Sequence, residues 1–184
     1  NADDELRMKH ITHGMRRLAS GKMSSRKGNV VTGESLIQDS MDVVREKVAD
    51  RELSDQEKNQ ISHIVGISAL KYSILKSSIG SDIIYDFDKS ISFEGDSGPY
   101  LQYTAVRASS ILKKGEAEGI CVAYKDIPSE ITTLEKTIYQ LPEVVAHSYE
   151  TLEPHHIATY LTLLASAFNT FYANTIIINK NDPY

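Results

Sequence analysis

Leu18-Ala19-Ser20-Gly21-Lys22-Met23-Ser24-Ser25-Arg26-Lys27-Gly28-Asn29-Val30-Val31-Thr32 is the stretch around which the chain is organised. Seven basic residues fall between Leu6 and Lys27 (Arg7, Lys9, Arg16, Arg17, Lys22, Arg26, Lys27), and no acidic one. Ser20, Gly21, Ser24, Ser25, Gly28 and Asn29 favour a loop over a helix or a buried strand. Lysine ammonium groups, with hydroxyl and backbone N–H donors around them, suit the oxygens of a polyphosphate. Charge runs often do no more than face water, so composition alone names no ligand here. The stretch is not a P-loop. Met23 follows Gly21-Lys22 where that motif has Ser or Thr, and Arg16 stands in the place of its first glycine.

The surrounding composition sets limits. The 184 residues are 41% hydrophobic and 24% charged, enough for one domain or two small ones with a real core. No apolar run approaches the ~18 residues of a membrane span, and the first ten residues are polar and charged, unlike a signal peptide. Cys121 is the only cysteine, which fits a reducing, cytoplasmic setting. The start at Asn1 and the stop at Asp182-Pro183-Tyr184, just after an apolar segment, suggest an excised piece of a longer protein. Residues 1–93 carry 14 Lys+Arg against 14 Asp+Glu, and residues 94–184 carry 6 against 11, so the net charge of −5 sits in the second half. That acidity excludes a non-specific nucleic-acid binder. It leaves room for a partner that meets the basic face, because salt screens distant charges beyond ~8 Å.

Upstream of the loop, a short strand is expected near Arg7–Thr12 with a turn at Gly14. His10 and His13 read as structural or surface histidines, since no further metal ligands lie nearby. Downstream, Thr32 or Gly33 should cap a helix, with Glu34 at its positive end and a stripe of Leu36, Ile37, Met41, Val44 and Val48. Ser54-Asp55-Gln56-Glu57 is a capping box that opens a helix to about Ser78. Ile61, Ile64, Val65, Ser68, Tyr72, Leu75 and Ile79 share one face, and Ile67, Leu70 and Ile74 another, so both sides are expected to pack. Residues 80–98 form a connector. Its acidic groups (Asp82, Asp86, Asp88, Glu94, Asp96) do not follow a calcium-loop order, and its apolar residues suggest packing with short strand pairing.

Pro99 fits the first position of the next helix. Leu101, Ala105, Ala108 and Leu112 are its expected core face. Tyr100, Tyr103, Thr104, Arg107 and Ile111 lie opposite, and that face suits either stacking on nucleotides or packing between domains; the pattern alone does not choose. Gly115–Pro128 reads as a loop with an extended stretch at Ile120–Tyr124. Helices follow at Ser129–Gln140, at Leu141–Leu152 after a break by Pro142, and from Pro154 to about Ala173, with Ile157, Tyr160, Leu161, Leu164, Phe168 and Phe171 inward. His147, His155 and His156 read as surface or packing histidines, because neighbours on a helix point ~100° apart, and no metal site is expected.

The order Lys22-Met23-Ser24-Ser25-Arg26-Lys27-Gly28-Asn29 resembles the KMSKS loop of class I aminoacyl-tRNA synthetases. By that resemblance Lys22, Met23, Ser24, Ser25, Arg26 and Lys27 bind ATP, and Lys22 and Lys27 are catalytic, stabilising departing pyrophosphate. Ser25 takes the place of the second lysine, which leaves Arg26 and Lys27 as alternatives for the second cation. His10-Ile11-Thr12-His13-Gly14 does not match the HIGH motif of the class. A second run, Asp86-Phe87-Asp88 … Ser92-Phe93-Glu94-Gly95-Asp96-Ser97-Gly98-Pro99-Tyr100-Leu101-Gln102-Tyr103 … Arg107, is similar to arginyl-tRNA synthetases and speaks against class I lysyl-tRNA synthetases. The other alternative is a non-catalytic helical RNA-binding module.

The resemblance implies a mainly α chain, incomplete at both ends. Residues 1–93 would be the C-terminal end of a Rossmann-type catalytic domain, with the KMSKS loop and helices that contact the tRNA stem. Residues 94–184 would begin an α-helical anticodon-binding domain. It further implies an enzyme that uses ATP with Mg²⁺, arginine and tRNA(Arg), is cytoplasmic and monomeric, and meets no membrane. Tyr100, Gln102, Tyr103 and Arg107 would be tRNA-binding candidates. The HIGH motif and the arginine pocket lie outside these residues, so the chain alone is expected to be inactive.

Overall fold

Thr32 starts the first helix of the computed structural model, which describes residues 8–19, 32–120 and 130–178. Its hydroxyl oxygen accepts from the Ser35 amide at 3.1 Å, satisfying a free N–H at the N-terminus of α1 (Gly33–Lys47). Ser54 and Glu57 close the expected capping box on α2 (Asp55–Leu75). Asp86 caps the single turn of α3 (Phe87–Ser90) by accepting from the Lys89 amide at 3.2 Å. Ser97 caps α4 (Gly98–Ala117), with Pro99 in its first turn. Three helices follow: α5 (Thr133–Tyr139), α6 (Leu141–Thr151) and α7 (His155–Asn174). A Thr132–Glu135 capping box opens α5, and Gln140 ends α5 and begins α6 just before Pro142.

The two strands among the described residues, β1 (Arg16–Leu18) and β2 (Ile83–Tyr85), pair in parallel with Arg16 opposite Ile83 and Leu18 opposite Tyr85. The strand expected near Arg7–Thr12 is thus displaced toward the loop, and residues 8–15 have no regular structure. The cause is long-range. Met15 donates its amide to Asp82 Oδ1 at 2.9 Å, and Ile83 donates to the Met15 carbonyl at 2.9 Å, so the partner strand decides where pairing starts. Gly14 is required here for space: a Cβ would lie 2.2 Å from the Ser81 carbonyl oxygen.

Helix packing corrects two further expectations. On α2 the buried stripe is Ser62, Gly66, Ala69, Leu70, Tyr72 and Ser73, whereas Ile64 and Leu75 are about half exposed. Small side chains let α1 and α2 approach closely, and a Cβ on Gly66 would sit 3.0 Å from the Met41 amide nitrogen. Val44, Ala69 and Ile91 form the core, flanked by Val43, Ile61 and Val65. On α4 the expected core face is only partly inward: Ala105 and Leu112 are exposed and Leu101 and Ala108 half-buried, while Thr104 on the opposite face is buried. Part of the tyrosine and arginine face packs as well, because α7 supplies hydrogen-bond partners for its polar atoms. α7 also packs on α5 and α6. No helix among the described residues is long and apolar enough to cross a membrane.

Candidate functional site

The loop candidates Lys22, Met23, Ser24, Ser25, Arg26 and Lys27 lie outside the described residues, as does Cys121. The two anchors of that loop are described. At one end β1 hands over through Ala19, whose amide donates to the Tyr85 carbonyl at 2.9 Å. At the other, Thr32 caps the positive end of α1. Arg16, Arg17, Leu18, Thr32, Gly33 and Tyr85 line a cleft of about 110 Å³ between the anchors, floored by apolar side chains of α2. Arg17 is tied to Asp82 at 3.0 Å. The Tyr85 hydroxyl meets buried Ser40 at 2.9 Å, which fixes β2 to α1. Burial pushes the Tyr85 phenol up, against hydrogen bonds from Ser40 and Ser90. The geometry thus holds both stems of a basic loop beside the N-terminus of a helix.

The four α4 candidates divide. Tyr100 and Gln102 face inward: the Tyr100 hydroxyl accepts from Asn169 Nδ2 at 3.1 Å, and Gln102 Nε2 donates to Ser68 Oγ at 3.0 Å. Arg107 donates to Asn169 Oδ1 and to the Tyr103 hydroxyl, and its guanidinium lies 4.5 Å from the ring centroids of both Tyr103 and Tyr172. Asn169 therefore stitches α4 to α7, donating also to Thr104 Oγ1 at 2.8 Å. Tyr103 remains 45% exposed, the most open of the four.

Two clusters bring together residues that read in the sequence only as a connector carboxylate (Asp96) and as surface or packing histidines (His147, His155, His156). Asp96, in the turn before α4, accepts from the Tyr72 hydroxyl, from Thr162 Oγ1 at 3.2 Å and from Lys76 Nζ at 3.1 Å, joining α2, α4 and α7. Burial by itself would raise the Asp96 carboxyl; hydrogen bonds from Tyr72, Lys76 and Thr162, with the Lys76 charge, outweigh it and hold the group below its ordinary value. Burial, with the Asp96 carboxylate beside it, pushes the Tyr72 phenol up to about 12. The second cluster is at the α6–α7 corner. The His155 and His156 rings lie 4.1 Å apart, His147 and His156 lie 4.5 Å apart, and His156 Nε2 is 3.1 Å from Glu153 Oε2. His155 and His156 both lie in the first turn of α7, where adjacent positions point ~100° apart, yet their rings come within 4.1 Å of each other. Nothing local signals Asn169 or the Asp96 hub, because their partners are 62 and 66 residues away.

Comparison with known proteins covers the whole order of elements. A family model described as tRNA synthetases class I (R), catalytic domain, matches residues 2–87. A model of the DALR anticodon binding domain matches residues 101–184. An arginine–tRNA ligase of Clostridium perfringens is 36% identical over 176 residues, which is 94% of this chain and 31% of that protein. One from Fusobacterium nucleatum is 40% identical over 181 residues, again 94% of this chain and 31% of that protein. The solved arginyl-tRNA synthetase of Thermus thermophilus superposes with a TM-score of 0.70 at 26% identity, covering 93% of this chain and 28% of that one. The chain therefore spans about a third of the length of the relatives it matches.

Proposed function

We propose that the chain belongs to the arginyl-tRNA synthetase family and is the part of an arginine–tRNA ligase that joins the catalytic domain to the anticodon-binding domain. The observation that carries this reading is the order of the two matches, a class I (R) catalytic domain followed by a DALR domain in one continuous chain. Neither match favours a class I lysyl enzyme or a non-catalytic RNA-binding module. We place the domain boundary at 93/94, between the end of the first match at 87 and the start of the second at 101. Residues 1–93 then close the Rossmann-type domain, and residues 94–184 open the anticodon-binding bundle.

In this reading the complete enzyme binds arginine, ATP and tRNA(Arg). The arginine carboxylate attacks the α-phosphate of ATP, the bond to the β-phosphate oxygen breaks, and pyrophosphate leaves with the developing negative charge. Lys22, with Lys27 or Arg26, sits against that charge, while Met23, Ser24 and Ser25 shape the loop around ATP. A cation that binds the leaving group more tightly in the transition state than in the ground state accelerates the step directly. The arginyl group then passes to the 3′-terminal ribose of the tRNA. What supports the placement is the anchoring: the β1 end and the α1 N-terminus present a positive rim to the loop from both sides. No carboxylate is among the described residues that line this cleft, so those residues do not fit Mg²⁺ by themselves, and we derive no step through the ion. Tyr103 remains the open tRNA candidate on α4, with Arg107 held half-buried behind it against Asn169 and Tyr172, and Tyr100 and Gln102 as further supports. We place the enzyme in the cytoplasm as a monomer, and the chain alone catalyses nothing because the arginine pocket lies elsewhere.

The test is Lys22→Ala in the complete enzyme. Arginine-dependent ATP–pyrophosphate exchange with tRNA present should fall by ~10²-fold, the typical loss of one transition-state donor. An undiminished rate would remove Lys22 from the mechanism.

A further inference from the structure

We propose that Glu153, His155 and His156 form a binding site for a zinc-type divalent metal ion at the α6–α7 corner. Each offers one ligand atom, and all of these atoms lie within 4.8 Å of one another. His156 Nε2 and Glu153 Oε2, 3.1 Å apart, are already near the ~3.3 Å ligand-to-ligand edge that a tetrahedral zinc with bonds of ~2.0–2.1 Å requires. An ion pair between these two would account for their positions and leave His155 unexplained. Its Nδ1 is buried without a hydrogen-bond partner among the described residues, and in the tautomer that leaves this nitrogen unprotonated its lone pair suits a Lewis acid.

The site is built into the backbone. Glu153 donates its amide to the Ser148 carbonyl at 3.1 Å, and Ser148 Oγ donates to the Glu153 carbonyl at 2.9 Å. Leu152 takes a left-handed conformation (φ 60°) to turn the chain. These contacts bring the Glu153 carboxylate back over the first turn of α7, where the two imidazoles converge. His147 from α6 lies beside the His156 ring and limits its swing. Two imidazoles and one carboxylate select zinc, copper or nickel over magnesium and calcium, which prefer all-oxygen shells. The three ligands leave a fourth position for water, and the bound ion would pin α6 to α7.

Zinc is the probe. Titration of the metal-free 184-residue chain against a chromogenic chelator should show one saturable site. Glu153→Gln, His155→Gln and His156→Gln should each weaken it by at least ~10-fold, the least that even a group supporting a metal ligand typically contributes. His63→Gln, on the exposed side of α2, should leave it unchanged. In the unaltered chain, zinc should shift the imidazole resonances of His155 and His156 together and raise the thermal midpoint, as any ligand of the folded state does. Absence of a saturable site, resonances that do not move, or zinc affinity that survives all three substitutions would overturn the proposal.

Discussion

Tyr72 and Asp96 show how single side chains hold this molecule together. The phenol donates to the carboxylate, and Lys76 and Thr162 complete the set from two other directions. The Asp96 carboxyl is held below its ordinary value, so the folded state binds its proton less readily than the unfolded chain. Its stabilising contribution is complete above the unfolded carboxylate value of ~4 and is lost as pH falls from there through the folded value. Tyr72 works at the other end. Its phenol is pushed up to about 12 against ~10 when unfolded, so its contribution is complete below pH ~10 and is lost as pH rises through about 12. Tyr72→Phe should lower stability near neutral pH by about 0.5–1.5 kcal/mol, the net worth of one hydrogen bond to an acceptor that water and Lys76 still reach. It should also flatten the alkaline limb. Urea midpoints measured across pH for both proteins check this, and an alkaline limb that stays as steep as in the parent chain would contradict it.

Among the elements, the close approach of α4 to α2 is the most exacting. A Cβ on Gly98 would lie 2.8 Å from the Ser68 carbonyl oxygen, which belongs to the helix backbone and cannot swing aside. Gly98→Ala should cost about 1–3 kcal/mol by overpacking, seen as a lower urea midpoint with an unchanged slope. Helix starts were the most legible elements. Thr32, Ser54 and Pro99 mark them by local hydrogen bonding and fixed φ, which need no distant partner. Buried faces were legible only in part. The bulky stripe on α2 looked like the core, while the contact is made by Ser62, Gly66 and Ala69, whose value lies in how near they let α1 come. The α4 faces were misjudged for a related reason: Thr104 is buried, and Arg107 and Tyr100 half-buried, where Asn169 answers them from α7. Hydrophobic periodicity carries no trace of such a partner. The strand pair was misplaced on the same grounds, since Asp82 and Ser81 decide where β1 begins.

At the scale of the molecule, the proposed ATP-binding loop rests on residue order alone, because Lys22–Lys27 lie outside the described residues, and the fold contributes its two stems. The Ser92–Arg107 run did more, because it tied the loop to arginine, and the paired matches to a class I (R) catalytic domain and a DALR domain bear out that assignment. The histidine corner was not legible, because its convergence depends on the turn at Leu152 and on Ser148. The chain spans about a third of its relatives, and the outer side of its bundle carries exposed Ile138, Tyr139, Val145 and Tyr149, an apolar surface of the kind that other parts of a larger protein cover. Arginine activation by the complete enzyme is read out by amino-acid-dependent ATP–pyrophosphate exchange in the presence of tRNA(Arg). Exchange should depend on arginine and be absent with lysine; exchange driven by lysine, or none with arginine, would contradict the account.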